Sequence, residues 1–167
     1  MKNFVTALLL GVAGVISGCG VYSFTGASIS PDVKSFSVQY FPNRAQLVQP
    51  LLSQAFTEKL KERFISLANL RQIDRDGDLQ FEGYISDYRT APVAIQGTET
   101  AALNRLTISV YVKFTNTKDA KQNFESTFTR YADYDSKKNL TEVELSLIDD
   151  INRQLIDDIF NKSVSNW

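Results

Sequence analysis

The sequence predicts an α+β fold: a two-layer sandwich with two helices packed on one face of a four-stranded mixed sheet, in the order β-α-β-β-β-α. Three observations predict it. Two long stretches carry apolar residues at three- and four-residue steps, the period of an amphipathic helix. Four stretches alternate apolar and polar residues, the period of a strand with one buried face. One helical stretch separates the first strand from the others, which favours a parallel crossover pair beside antiparallel hairpins. Two amphipathic helices need an apolar surface to cover, and one sheet face supplies it.

The first strand is Ser35-Phe-Ser-Val-Gln-Tyr-Phe41, with Phe36, Val38 and Tyr40 on one face. Val48, Leu52, Ala55, Phe56, Leu60, Phe64 and Leu67 then form the stripe of the first helix. Pro50 has no N–H to give and is tolerated only in a first turn, so the helix is expected to begin near Val48, after a turn over residues 43–47. Arg71 to Asp78 is polar and ends in Asp-Arg-Asp-Gly-Asp. In the second strand Leu79, Phe81 and Ile85 face one way, with Gln80, Glu82, Tyr84 and Tyr88 opposite. A long loop from Thr90 to Leu103, marked by Pro92 and Gly97, leads to the clearest strand. There Leu106, Ile108, Val110, Val112 and Phe114 alternate with Arg105, Thr107, Ser109, Tyr111 and Lys113. After a polar hairpin loop the last strand, about residues 123–133, places Phe124 and Phe128 on one side and Thr127, Thr129 and Tyr131 on the other. The second helix opens with Thr141-Glu-Val-Glu144, a capping-box pattern, with Leu140 and Leu145 placed for a hydrophobic staple. Its stripe continues through Ile148, Ile151, Leu155 and Ile159, with Lys162 at the edge.

The N-terminus has a different logic. Lys2 precedes an apolar run from Phe4 to Ile16, shorter than the roughly 20 residues a membrane-spanning helix needs. The run ends in Ile16-Ser17-Gly18-Cys19, which resembles the bacterial lipobox, and Cys19 is the chain's one cysteine. Residues 1–18 therefore read as a lipoprotein signal peptide. Cys19 would become the first mature residue and carry a covalent diacylglycerol and an N-acyl lipid; each buried CH₂ contributes about 0.8 kcal/mol of anchoring. The next residue is Gly20 rather than the Asp associated with inner-membrane retention, so the expected location is the outer membrane, facing the periplasm. Residues 19–35 read as a lipidated tether and 36–167 as a single domain.

Composition narrows the chemistry. The 167 residues include no histidine, which removes imidazole as general base or metal ligand. A formal net charge of −1 gives no bulk attraction for nucleic acid. Asp74 to Asp78 resembles part of a calcium loop but lacks its twelve-residue spacing and flanking helices, and reads as a solvated turn. Asp149-Asp150 and Asp157-Asp158 read as a polar helix face rather than an acid–base pair, and no catalytic, cofactor or metal centre is expected.

The face opposite the aliphatic one is more distinctive. Tyr84, Tyr88, Tyr111 and Tyr131 share it with threonines and serines. Tyrosine offers a rigid apolar body with a polar tip, a composition of protein interfaces and also of exposed cross-strand pairs. Basic residues, Arg44, Arg71 and Arg75 among them, are scattered; Arg89, Arg105, Lys113 and Arg130 lie in or beside the three-strand unit. Of these, Arg89, Arg105 and Lys113 are candidates for phosphate contact through charge-assisted hydrogen bonds.

The lipobox followed by CGVYSFTGASI, the strand exit VQYFPNRA, and PLLSQAFTEKLKERF, GDLQFEGYISDYRTAP, NRLTISVYVKF and LIDDIFNKSVSNW together resemble the lipopolysaccharide-assembly lipoprotein family, LptE. The likeness spans the mature chain in segment order. It implies a two-helix, four-stranded fold and a non-enzymatic role as plug and assembly partner within the outer-membrane β-barrel LptD, helping deliver lipopolysaccharide to the outer leaflet. Cys19 is the one family site carried over. On that reading Tyr84, Tyr111 and Tyr131 contact the barrel or its cargo. The competing reading is another periplasm-facing lipoprotein binding module, for peptidoglycan or a different envelope complex; a carboxylate-based hydrolase ranks below both.

Overall fold

In the computed structural model, which describes residues 29–68, 70–93 and 102–164, the chain runs β1 (Ser35–Val38), α1 (Leu52–Ala68), β2 (Arg71–Gln72), β3 (Leu79–Val93), β4 (Leu103–Asn116), β5 (Phe124–Asp135) and α2 (Leu140–Val164). The sheet has five strands rather than four, in the order β2-β1-β3-β4-β5. The added strand, β2, is two exposed polar residues, too short to display an alternation. β1 is parallel to β2 and β3, whereas β3–β4 and β4–β5 are antiparallel, so the helical crossover after β1 does produce a parallel pair in a mixed sheet.

Both helices cover one face. Leu52, Phe56, Leu60 and Phe64 of α1 and Ile148, Ile151, Leu155 and Ile159 of α2 are buried against Leu79, Phe81 and Ile85 of β3 and the apolar set of β4. A row of phenylalanine rings crosses the sheet beneath them: Phe36–Phe64 (5.5 Å between centroids), Phe64–Phe81 (4.5 Å), Phe81–Phe114 (5.0 Å) and Phe114–Phe124 (5.2 Å), with Phe160 of α2 also 5.0 Å from Phe64. Such tilted pairs add about 0.5–1.5 kcal/mol each beyond the area they bury.

Both helix starts differ from expectation. α1 begins at Leu52, after Pro50, because Gln49 turns the chain with its side-chain oxygen on Leu51 N (2.7 Å) and its carbonyl on Leu52 N (3.2 Å). Val48 therefore lies outside the stripe and is 64% exposed; the Leu67 side chain falls outside the described ones. In α2 the cap is Asn139, whose carbonyl accepts from Glu142 N (3.1 Å) and whose amide donates to the Glu142 carboxylate (3.3 Å). Leu145 is exposed, so no staple forms, and Glu144 turns inward instead. Aspartates of both pairs tie α2 to α1 and to the sheet. Asp149 meets Lys59, Asp157 meets Arg63 (2.7 Å), and Asp158 meets Arg130 of β5 (2.6 Å).

The stretch from Asp74 to Asp78 crosses β1 on the face away from the helices. Gly77 N donates to Ser37 Oγ (3.2 Å) and Asp78 N to Ser35 Oγ (3.1 Å). The Asp78 carboxylate accepts from Lys34 N (2.8 Å) and Ser35 N (3.1 Å). At Gly77 a Cβ would sit 2.6 Å from the Phe36 carbonyl carbon, and Asp76 takes up φ 57, a left-handed conformation that short polar side chains tolerate. The segment is a strap held by hydrogen bonds to its neighbouring strand. Among the described residues no group of three or more carboxylate, thiol or imidazole side chains could hold a metal.

Candidate functional site: the open face of the sheet

The sheet face not covered by helices is built by register. Six rows run across β3, β4 and β5: Glu82–Lys113–Glu125, Tyr84–Tyr111–Thr127, Asp87–Ser109–Thr129, Arg89–Thr107–Tyr131, Ala91–Arg105–Asp133 and Val93–Leu103–Asp135. The central strand carries small residues in its middle, so Thr107 and Ser109 are sunk between longer flanking side chains. Ser109 and Thr129 share a hydrogen bond across the trough (2.8 Å).

Three of the four tyrosines lie on this face. Tyr84 and Tyr111 stack with centroids 5.1 Å apart and planes at 28°. The Arg44 guanidinium, reaching in from the turn after β1, sits 4.5 Å from the Tyr84 ring centroid. The Tyr111 hydroxyl donates to Glu125 (2.5 Å), which holds its proton more tightly than usual. Tyr131 stands two rows away, half exposed, with the Arg105 guanidinium 3.6 Å from its ring centroid.

Tyr88 is the exception. A register shift between Ile85 and Asp87 inserts one extra residue into β3 and turns Tyr88 onto the core face. It is 5% exposed, and its hydroxyl donates to Glu144 (2.5 Å). Burial, then this hydrogen bond, push its pKa upward. Strict alternation gave no signal of the bulge.

Each candidate phosphate-binding cation is on the open face and already has a carboxylate partner. Arg105 makes a two-pronged bond to Asp133 (2.7 and 2.8 Å), which lowers the Asp133 pKa and raises that of Arg105. Arg89 pairs with Asp87 (2.5 Å) and Lys113 with Glu82 (3.3 Å). Arg44, Arg89, Arg105 and Lys113 stand against Glu82, Asp87, Glu125, Asp133 and Asp135, so the face carries no positive surplus. Arg44 is the contributor that strand phasing misses, because it arrives from a loop fixed by Arg44 N donating to the Ile85 carbonyl (2.9 Å).

Gly83 sits on the opposite face, beneath Tyr84 and Tyr111. A Cβ there would lie 2.1 Å from the Tyr111 carbonyl oxygen and 2.6 Å from the Phe41 ring. Only a glycine lets Phe41 pack this close to the strands that carry the stacked pair.

The family model for LptE, described as lipopolysaccharide-assembly, matches residues 33–163, nearly the whole described domain. The chain belongs to the LptE family. Solved structures of similar fold include a minor lipoprotein from Acinetobacter baumannii (14% identity over 79% of this chain and 96% of that one, TM-score 0.50). A hypothetical protein from Chlamydia trachomatis is similar at 12% identity, over 80% of this chain and 99% of that one, with a TM-score of 0.52. A protein from Xanthomonas campestris is similar at 8% identity, over 83% and 90%, with a TM-score of 0.53. At such identities the likeness is one of fold. No curated protein matches the chain. In this LptE-family member no helix among the described residues is long and apolar enough to cross a membrane. Cys19 and the other residues of the signal and tether lie outside the described residues, as do residues 94–101 of the expected loop; its flanks are strand out to Val93 and from Leu103.

Proposed function

We propose that this LptE-family protein is anchored to the outer membrane through lipidated Cys19, faces the periplasm, and serves as plug and assembly partner of an LptD-type β-barrel in delivering lipopolysaccharide to the outer leaflet. The family match over residues 33–163 carries the reading. The open face supports it: aromatic rings, hydroxyls and pre-paired charges provide broad contact with a polar wall without exposing a greasy surface beforehand. Tyr84, Tyr111 and Tyr131 are the barrel or cargo contacts in this proposal. Arg89, Arg105 and Lys113 reach lipopolysaccharide phosphate by exchanging Asp87, Asp133 and Glu82 for it.

The test is recovery of the barrel with the lipidated protein from native membranes. Stoichiometric LptD is expected with the parent chain. Substituting Tyr84, Tyr111 and Tyr131 together with Ser should reduce recovery at least about tenfold, an interface loss of about 1.4 kcal/mol, with the domain still folded. Unchanged recovery rejects the tyrosine face. Absence of LptD with the parent chain, and recovery of peptidoglycan or another envelope complex instead, rejects the barrel.

A further inference from the structure

We infer that the outer edge of β5, with the groove between it and α2, docks an extended peptide segment of a partner protein that places apolar side chains and one carboxylate in that groove. Ser136 N donates to the Ala102 carbonyl (3.0 Å), next to the facing pair Leu103 and Asp135. From there the register with β4 runs unbroken to Phe114 and Phe124. Even-numbered residues of β5 therefore turn their backbone groups to β4, and odd-numbered residues turn theirs outward. Lys138 N takes the Asp135 carbonyl (3.0 Å). Glu125, Thr127, Thr129, Tyr131 and Asp133 keep N–H and C=O groups without a backbone partner among the described residues, and all five are exposed. They span about 27 Å, enough for a strand of about nine residues.

Such an edge is the template for strand addition unless a bulge, a proline or projecting charges blunt it. The register of β5 is regular and its sequence lacks proline. Its charges turn back onto their own molecule: Tyr111 donates to Glu125, Arg105 to Asp133, and Arg130 to Asp158. On the helix side of the edge lies a cavity of about 510 Å³, lined by Phe128, Asp158, Asn161 and Lys162. A strand paired with β5 sends alternate side chains into it, beside Phe128 and Phe124, whose ring centroids are 6.2 Å apart.

Charge selects the occupant. Arg130 and Asp158 cancel in a two-pronged pair (2.6 and 2.7 Å). Exposed Lys162 meets no carboxylate among the described residues; its Nζ donates to the neutral Ser126 hydroxyl (2.5 Å) and lies 4.7 Å from the Phe124 ring centroid. The groove thus keeps one uncompensated positive charge, which a carboxylate on the incoming strand matches and an ammonium group does not. A second copy of this chain fits poorly. Antiparallel β5 pairings centred on Thr129 or Arg130 set Glu125 opposite Asp133 or Asp135 of that copy, and like charges directly opposite destabilise a strand pair.

The experiment is residue-resolved hydrogen exchange on the full mature chain. The probes are two end-blocked nine-residue peptides alternating valine with threonine, the central valine replaced by glutamate in one and by lysine in the other. The glutamate peptide should slow exchange of the Thr127, Thr129 and Tyr131 amides about tenfold or more at saturation, and the lysine peptide should not. The Ser126, Phe128 and Arg130 amides, which face β4, should change little. Lys162→Glu should reverse the preference, with the rest of the amide pattern showing the fold intact. Protection by neither peptide, equal protection by both, protection away from the odd-numbered amides of β5, or a preference unmoved by Lys162→Glu overturns the inference. So does protection of those amides that grows with protein concentration in the absence of peptide, because a second copy would then occupy the edge.

Discussion

The Tyr88 hydroxyl donates to a Glu144 carboxylate oxygen at 2.5 Å, joining the bulged part of β3 to the first turns of α2, and Gln49 donates to the other oxygen (3.2 Å). One carboxylate thus ties strand, helix and turn at the end of the sandwich where both helices begin. Tyr88→Phe keeps the packed ring and removes one charge-assisted bond. Unfolding in urea should show a loss of about 1.5–3 kcal/mol with an unchanged slope.

Asp78 gives the clearest pH dependence. Backbone hydrogen bonding from Lys34, then Lys118, holds its pKa near 2, below the ordinary 3.8. A depressed carboxylate contributes stability that is present above 3.8 and lost as pH falls toward 2. The contribution is about 2 kcal/mol at neutral pH. Asp78→Asn should be less stable at pH 7, and its gap from the parent chain should close between pH 4 and pH 2 in chemical unfolding (the window follows from those two values).

Asn152 is fully buried in α2, and neither its amide nitrogen nor its carbonyl oxygen has a protein partner. A buried polar group without partners costs about 1–3 kcal/mol. Asn152→Leu keeps the number and branching of side-chain heavy atoms with bulkier methyls, and should raise the urea midpoint without changing the slope, a gain of about 1 kcal/mol after the added bulk is accommodated.

Gly83→Ala tests the close approach beneath the stacked tyrosines. The added methyl would enter the space of the Tyr111 carbonyl and the Phe41 ring. A clash with backbone cannot relax by a rotamer change, so a loss of about 3 kcal/mol or more is expected. Far-UV circular dichroism with thermal unfolding reads it.

Arg105 can meet a phosphate only by releasing Asp133. Asp133→Asn weakens that hold. Binding to lipopolysaccharide micelles should tighten several-fold and become more salt-sensitive, whereas Arg105→Ala should weaken it. Micelle binding unmoved by either substitution removes Arg105 from the phosphate contacts.

What could be read from the residues alone follows physical scale. The alternation from Leu106 to Phe114 and the stripes of both helices are repeated many times over, and their central positions are buried apart from the half-buried Ala55. Features that hinge on a single residue were not legible. One extra residue between Ile85 and Asp87 reverses Tyr88, and a two-residue polar pairing makes β2 a strand. Asn139 displaces Thr141 as the cap because Glu144 is engaged elsewhere. At the site, Tyr84 and Tyr111 follow from strand phase, but the pairing of Arg105 with Asp133 and of Lys113 with Glu82 depends on neighbours across strands, which no single-strand pattern records.

The strap over Ser35 and Ser37 has a consequence for grip. It closes off β1, so the uncovered panel is only three strands wide and six rows long. Strand spacing makes that about 15 Å by 34 Å, roughly 500 Å² in projection. A lasting one-sided contact covers roughly 800 Å² of accessible surface on each partner. So narrow a panel favours retention by something that closes around its flanks as well.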